Sequence, residues 1–286
     1  MSIPVISVKG RNIPQAWESS LLELWNSGIS IRTEYDSEGV PPSKDATMVM
    51  TIEEPYSEPR IHMCIPGGLE DLRKYVREVV DGVHDDWIDP KQGKWIYTYH
   101  QRLFGYEMGK DTIDQVNFMI TKLTSAPHSR RAQAITWNPM LDPLSYDPPC
   151  LQRIWGRCVS DEKGKMWFNM NAHWRSRDAY KAAFMNLFAL TELQRIIARR
   201  ISEKAGNEIF AGRYVDISDS YHIYGSDFND FRIRFLAMIG KRKFFNDNLT
   251  DSRTLRSDHP LVLKAFAKAD DALLKEKSTG RKGTTG

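Results

Sequence analysis

Apolar positions along the chain switch between two periods, and the switches mark its elements. A short opening strand leads into a helix over Ile13 to Asn26, where Trp17, Leu21, Leu22 and Trp25 recur at helical spacing. Gly28 to Glu38 turns back toward the sheet and carries Arg32, and Val40-Pro41-Pro42 then breaks the chain. Thr47 to Ile52 alternates and predicts a strand. After the Pro66-Gly67-Gly68 turn, Leu69 to Val83 sets Leu72, Val76, Val79 and Val80 on one side of a helix. A further helix is expected over Thr112 to Thr124, ending before Pro127, and Ala132 to Trp137 is β-rich. Leu151 to Val159 and Met166 to Trp174 read as two strands joined by a polar turn, Ser160 to Lys165. The strongest helical stretch is Asp178 to Ala205, which lacks proline and stops at Gly206. Apolar residues surround its first half, so it is expected to be central and buried. Tyr214 to Tyr224 returns as a strand.

Helices and strands mix without a regular βαβ beat, which favours an α+β fold with a mixed β-sheet layered with helices around that long central helix. One domain over 1–274 is expected. Lys275 to Gly286 is polar and rich in Gly, Thr and Lys, and reads as a mobile tail.

Composition narrows the class. Of 286 residues, 41% are hydrophobic and 27% charged, the balance of a globular chain with a sizeable core. Forty basic and 37 acidic residues interleave to a net charge of +3, which argues against a nucleic-acid coat but allows a few placed arginines to hold a small anion. No apolar run is long enough to cross a membrane, and the N-terminus lacks the pattern of a signal peptide. Cys64, Cys150 and Cys158 form neither a CxxC nor an even disulfide framework, so a reducing cytoplasmic compartment is expected, without a metal.

The candidate chemistry centres on Cys150. Pro148-Pro149 fixes the approach to it and prevents a regular helix there. Arginines abound in the surrounding motifs, and nearby cations stabilise a thiolate; Cys64 and Cys158 lack that setting and read as structural. Ser129-Arg130-Arg131 lies upstream, and Arg175-Ser176-Arg177-Asp178, Asn186 and His222-Ile223-Tyr224 lie downstream. Strand alternation puts His222 and Tyr224 on one face. A soft nucleophile, forked cations for phosphate, an amide able to read a base edge and a polar pair for a sugar hydroxyl suit covalent chemistry on a nucleoside monophosphate.

In this order the motifs resemble the thymidylate synthase family, which includes pyrimidine nucleotide hydroxymethylases. Pro149-Cys150 resembles its nucleophile; Arg175 through Asp178 resembles its Arg-Ser-x-Asp; Asn186 falls eight positions beyond that aspartate; His222-Ile223-Tyr224 resembles its His-x-Tyr; and Ser129-Arg130-Arg131 precedes a stretch ending in Trp137-Asn138. The resemblance implies that Cys150 adds to C6 of a uracil ring and thereby activates C5 toward 5,10-methylenetetrahydrofolate. It implies that Arg175 lies near thiolate and phosphate, that Arg32 binds phosphate, and that Ser176 contacts the nucleotide. Asn186 meets the pyrimidine edge, where relatives acting on cytosine often carry aspartate. His222 and Tyr224 hold the sugar 3′-hydroxyl, and Asp178 touches both nucleotide and pterin. Glu78 is implied as the general acid/base and Tyr97, with Tyr99 as the alternative, as the tyrosine near the C5 proton. Arg130 and Arg131 correspond to a pair donated by the partner subunit, which implies a sheet-to-sheet homodimer with shared sites. Leu151, Trp174 and Ala182 replace the family's usual histidine, glutamine and glycine, and the polar ending differs from its apolar closing segment.

The activity this implies is methylation of dUMP to dTMP. The alternatives are 5-hydroxymethylation of dUMP, dCMP or CMP through the same adduct quenched by water, and a nucleotide-binding protein without turnover.

Overall fold

Alternating burial builds the sheet on which everything else is mounted. The computed structural model describes residues 2–36, 38–92 and 95–280. Its elements are β1 (Val5–Gly10), α1 (Ile13–Ser27), β2 (Ile29–Ile31), β3 (Ser43–Ile52), β4 (Ile61–His62), α2 (Gly68–Asp81), α3 (Tyr99–Phe104), β5 (Tyr106–Met108), β6 (Asp111–Ile113) and α4 (Gln115–Ser125). They continue with β7 (Gln133–Ile135), β8 (Leu151–Ser160), β9 (Met166–Asp178), α5 (Ala183–Ala205), β10 (Ile209–Ile223), α6 (Phe228–Asp230), a π-turn over Phe231–Leu236, α7 (Ala237–Lys241), β11 (Thr254–Leu255) and α8 (Pro260–Thr279). The main sheet is seven-stranded, in the order β1-β3-β10-β9-β8-β7 with β2 also on β3. β1–β3 and β10–β9 pair parallel and the other neighbours antiparallel, so the sheet is mixed.

Helix α1 starts where the Asn12 side chain accepts from the Gln15 amide at 3.1 Å, with Pro14 in its first turn. Trp17 and Leu21 are fully buried; the Trp17 indole donates to the Ala179 carbonyl at 2.9 Å and its ring meets Phe184 and Phe235 edge-on. That indole ties α1 to the β9–α5 junction. Each such aromatic removed from water contributes about 1.5–3 kcal/mol. Helix α5 touches α1, α2, α4, β9 and β10 and ends at Gly206, whose φ of 69° is the left-handed cap that glycine adopts without strain.

Of the boundaries that differ from the sequence reading, three have a clear physical cause. Strand β9 runs on to Asp178 and α5 begins only at Ala183, so Asp178 closes a strand and Asn186 lies in the first turn of the helix rather than its middle. Pairing with β10 through His222↔Asp178 holds those last residues extended, a non-local gain that the local helical pattern does not register. The helix expected from Thr112 starts at Gln115, because Asp111–Ile113 pairs with Tyr106–Met108 and the Asp114 carboxylate caps α4. Helix α8 continues to Thr279, five residues into the stretch read as a tail; 281–286 lie outside the described residues. No helix among the described residues is long and apolar enough to cross a membrane.

Candidate active site

One end of the sheet gathers most of the singled-out side chains. Cys150 sits immediately before β8, half-buried, where a register shift between Leu151 and Arg153 loosens the ladder with β9. The Tyr99 hydroxyl accepts from the Leu151 amide at 3.3 Å, and the Tyr97 ring lies 5.6 Å from that of Tyr99. Both phenols feel Cys150, and both are pushed well above the usual tyrosine range, chiefly by burial. The structure therefore brings both candidate tyrosines to the cysteine.

Arg175 lies near enough to the Cys150 thiol to pull on its ionisation, and its hydrogen bonds run to the chain that carries that thiol. Its guanidinium donates to the Pro149 carbonyl at 3.1 Å and the Pro148 carbonyl at 2.6 Å, and its backbone amide donates to the Cys150 carbonyl at 2.9 Å. It braces the segment that presents the thiol. Burial pushes the Cys150 thiol up, against a smaller opposing pull from Arg175, contrary to the depressed thiol expected from the nearby arginines. Cys64 and Cys158 are buried, and burial pushes both to about 11.

Asn186 is buried, and its Nδ2 donates to the Tyr75 hydroxyl at 2.6 Å. One Nδ2–H and Oδ1 remain to read a base edge. Tyr75 lies three residues before Glu78 on α2, close to both Glu78 and Tyr99, so it links the amide, the carboxylate and the cysteine's tyrosines. Sequence reading passed over Tyr75; its spacing from Glu78 was the available signal.

His222 and Tyr224 share a face as expected, their rings 4.7 Å apart. Ser220 Oγ donates to Asp45 Oδ2 at 2.6 Å and lies 3.2 Å from His222 Nδ1. With its proton engaged, that oxygen accepts from Nδ1–H, which assigns the tautomer and leaves Nε2 as an acceptor. Burial lowers His222 to about 4, so the ring is neutral, and Nε2 is buried without a hydrogen-bond partner among the described residues. A sugar hydroxyl is the donor that such an atom lacks. Gly225 follows Tyr224 because a Cβ there would fall 1.7 Å from the Pro41 carbonyl oxygen. That close approach lays the loop carrying exposed Arg32 and Tyr35 and half-buried Asp36 beside Tyr224, whose own phenol burial lifts to about 12.

Asp178 Oδ1 accepts from the Tyr180 and Lys181 amides at 3.0 and 2.8 Å. Burial nevertheless raises it from 3.8 to about 6, with Asp227 adding to the rise. The folded chain thus binds this proton more tightly than the unfolded one. Stability falls as pH rises from about 4 to about 6, and the deficit persists above. Asp178→Asn should raise stability near pH 7.5 by about 2 kcal/mol, a value discounted for partial exposure, and leave it unchanged near pH 3. Thermal melts of both proteins at the two pH values check this; identical pH dependence would mean a fully solvated carboxylate.

Between Ser176, which pairs with Ser220, and Asp178 lies Arg177, to which sequence reading assigned no role. It is buried, bonds Asp216 and donates to the Ala183 carbonyl at 2.9 Å; Asp216 also accepts from Trp174 and Tyr214. This buried pair fixes the end of β9 against the start of α5, and Trp174, at the position usually glutamine, is part of it.

Arg130 and Arg131 do not reach Cys150 within the chain. They are exposed on the loop before β7, where the Arg130 carbonyl accepts from the Trp155 indole and Gly156 pairs back to Ala132. Gly156 lies six positions beyond Cys150 along β8, roughly 20 Å at strand rise.

The family profile described as thymidylate synthase matches residues 69–237, more than half the chain. The chain belongs to the thymidylate synthase family. A Methanosarcina mazei protein provisionally named a thymidylate synthase is 30% identical over 222 residues, covering 78% of this chain and 91% of that protein. A relative of the same provisional name from Methanocaldococcus jannaschii is 27% identical over 225 residues, covering 77% and 91%. The fold is similar to that of thermostable thymidylate synthase A from Bacillus subtilis, at a TM-score of 0.57 and 20% identity over 78% of this chain and 83% of that one. Members of the thymidylate synthase family are one-carbon transferases of nucleotide biosynthesis that bind nucleotide and use methylenetetrahydrofolate as co-substrate. The matched segment holds Glu78, Tyr97, Cys150, Arg175, Asn186, His222 and Tyr224, whereas Arg32 precedes it.

Proposed function

We propose that this chain transfers a one-carbon unit from 5,10-methylenetetrahydrofolate to C5 of dUMP, yielding dTMP, as a homodimer with shared active sites. The observation that carries the reading is the convergence of the Cys150 thiol with Tyr97 and Tyr99, and of those tyrosines with Tyr75, Asn186 and Glu78. A nucleophile for C6, an amide for the O4/N3 edge and a carboxylate for proton transfer stand together, as the chemistry needs.

Cys150 Sγ attacks C6, and the electron pair moves toward O4 as C5 becomes nucleophilic. Glu78 manages the proton at O4 through water; once C5 carries the one-carbon unit, the C5 proton leaves to water beside Tyr97 and Tyr99, and hydride or water added at the exocyclic carbon re-forms the C5–C6 double bond and expels Cys150 Sγ from C6. Asn186 donates to O4 from Nδ2 and accepts from N3–H at Oδ1. His222 Nε2 accepts from the 3′-hydroxyl beside Tyr224. Arg32 and Ser176 take the phosphate side together with Arg130 and Arg131 of the other chain. Those two added cations also supply the positive potential that a buried Cys150 thiol needs to ionise. Asp178, poised near 6, presents both a donor and an acceptor form to the pterin. The folate supplies the one-carbon unit and, in methylation, the hydride.

Release of tritium from C5-labelled dUMP, dCMP and CMP, followed by product mass, tests the reading. Folate-dependent release from dUMP with a methyl product supports it; a hydroxymethyl product makes the chain a hydroxymethylase, and no release from any of the three makes it a binding protein.

Asn186→Asp should move preference toward cytosine. A buried carboxyl accepts from the 4-amino group and, when protonated, donates to N3. A mismatch of this kind costs about 1–3 kcal/mol, so the dUMP-to-dCMP ratio of kcat/KM should shift roughly tenfold or more. An unchanged ratio in a folded variant would remove Asn186 from the base.

A further inference from the structure

Behind Glu78 stands a histidine with no part in the chemistry above. Helix α2 ends at Gly82, whose φ of 63° reverses the chain and folds His84 back over the helix. His84 Nδ1 lies 3.1 Å from Glu78 Oε2, and its Nε2 lies 3.5 Å from Glu276 Oε2 on α8. The ring is nine-tenths buried, stacked on Trp87 at 3.9 Å and met edge-on by Trp95 at 5.6 Å. Apart from those charges, Nε2 and Glu276 Oε2 are both buried without a hydrogen bond. Two carboxylates converging on the two nitrogens of one imidazole suit an imidazolium donor at both ends.

We propose that His84 is a positioning residue for Glu78, held by Glu276, so that the C-terminal helix α8 sets the orientation of the candidate acid/base carboxylate. The role in turnover rests on the reading of Glu78 given above; the triad itself does not. An imidazolium donating to Oε2 leaves Oε1 free and fixes the carboxyl plane, the service that an orienting partner renders to a catalytic group. Trp87 and Trp95 exclude water from the pair and strengthen it. Further groups near the ring are Lys74 on α2, 3.8 Å from Glu276, and the Asp85–His100 pair beside Gly82, at 2.6 Å. Both neighbouring carboxylates raise His84, against the lowering effect of its burial, which is the largest single influence.

Two measurements test this. The first is the imidazole titration of His84 followed by NMR in the full chain. His84 should titrate above the ordinary imidazole range, and Glu276→Gln and Glu78→Gln should each bring it down. A His84 that titrates at the ordinary value, or ignores both substitutions, overturns the triad whatever the chain catalyses. The second is C5 tritium release. His84→Gln, with wild-type circular dichroism, should lose about tenfold to a hundredfold in kcat while KM for the nucleotide stays within about threefold. The alkaline limb of the wild-type pH profile, where His84 gives up its proton, should vanish; Glu276→Gln should move that limb to lower pH. An unchanged kcat, or an unmoved limb in both variants, overturns the positioning role. A wild-type chain that releases no tritium overturns the nucleotide reading and with it the role in turnover, while the NMR titration still decides the triad.

Discussion

Cys150→Ser should lose turnover by at least on the order of 10⁴-fold while binding dUMP within a few fold of wild type. The two halves of the result have separate physical sources. Turnover needs a bond from Sγ to C6, and a hydroxyl is both less nucleophilic and far harder to ionise than a thiol. Binding draws on the arginines, on Asn186 held by Tyr75, and on His222 Nε2, none of which touches the thiol through a hydrogen bond. Isothermal titration and C5 tritium release on the same preparation check both halves. Substantial turnover in the serine variant would remove the covalent adduct from the mechanism.

Mixing Arg130→Ala subunits with Cys150→Ser subunits, each weak or inactive alone, should restore about a quarter of the wild-type activity. Random exchange makes half of the dimers mixed, and each mixed dimer holds one complete site of two. The geometry behind the expectation is the roughly 20 Å of strand β8 that keeps Arg130 and Arg131 from Cys150 of their own chain. The sheet surface with Arg153, Trp155, Asn171, His173 and Ile217 around a cavity of about 250 Å³ is the one across which a second sheet could bring them. Residual activity of Arg130→Ala alone should need higher pH than wild type, since its Cys150 lacks one cation. Subunit exchange shown by mass, without recovery of activity, would sink the shared site.

Much of this architecture is legible in the sequence. Alternation over Thr47–Ile52 and helical spacing over Leu69–Val83 located β3 and α2, because burial against a sheet imposes those periods. Gly206 marked the end of α5 for the same local reason. The order Arg130-Arg131, Cys150, Arg175 to Asp178, Asn186, His222, Tyr224 pointed to the family, since each motif is a fixed chemical requirement written at short range.

What tertiary structure alone decided involves partners far apart in the chain. Asp178 ends a strand because β10 pairs with it, against a helical local pattern. Asn186 is oriented by Tyr75, 111 positions away, and Arg177 is committed to Asp216, 39 away. The His222 tautomer follows from Ser220 and Asp45, and His84 is caught between α2 and an α8 that the sequence did not mark. Above all, a run of arginines near a cysteine suggests a depressed thiol, but the folded chain turns Arg175 onto two proline carbonyls and leaves burial to dominate. Periodicity and motifs are properties of neighbours along the chain, whereas ionisation, tautomer and side-chain aim depend on the dielectric and the donors that packing brings from elsewhere.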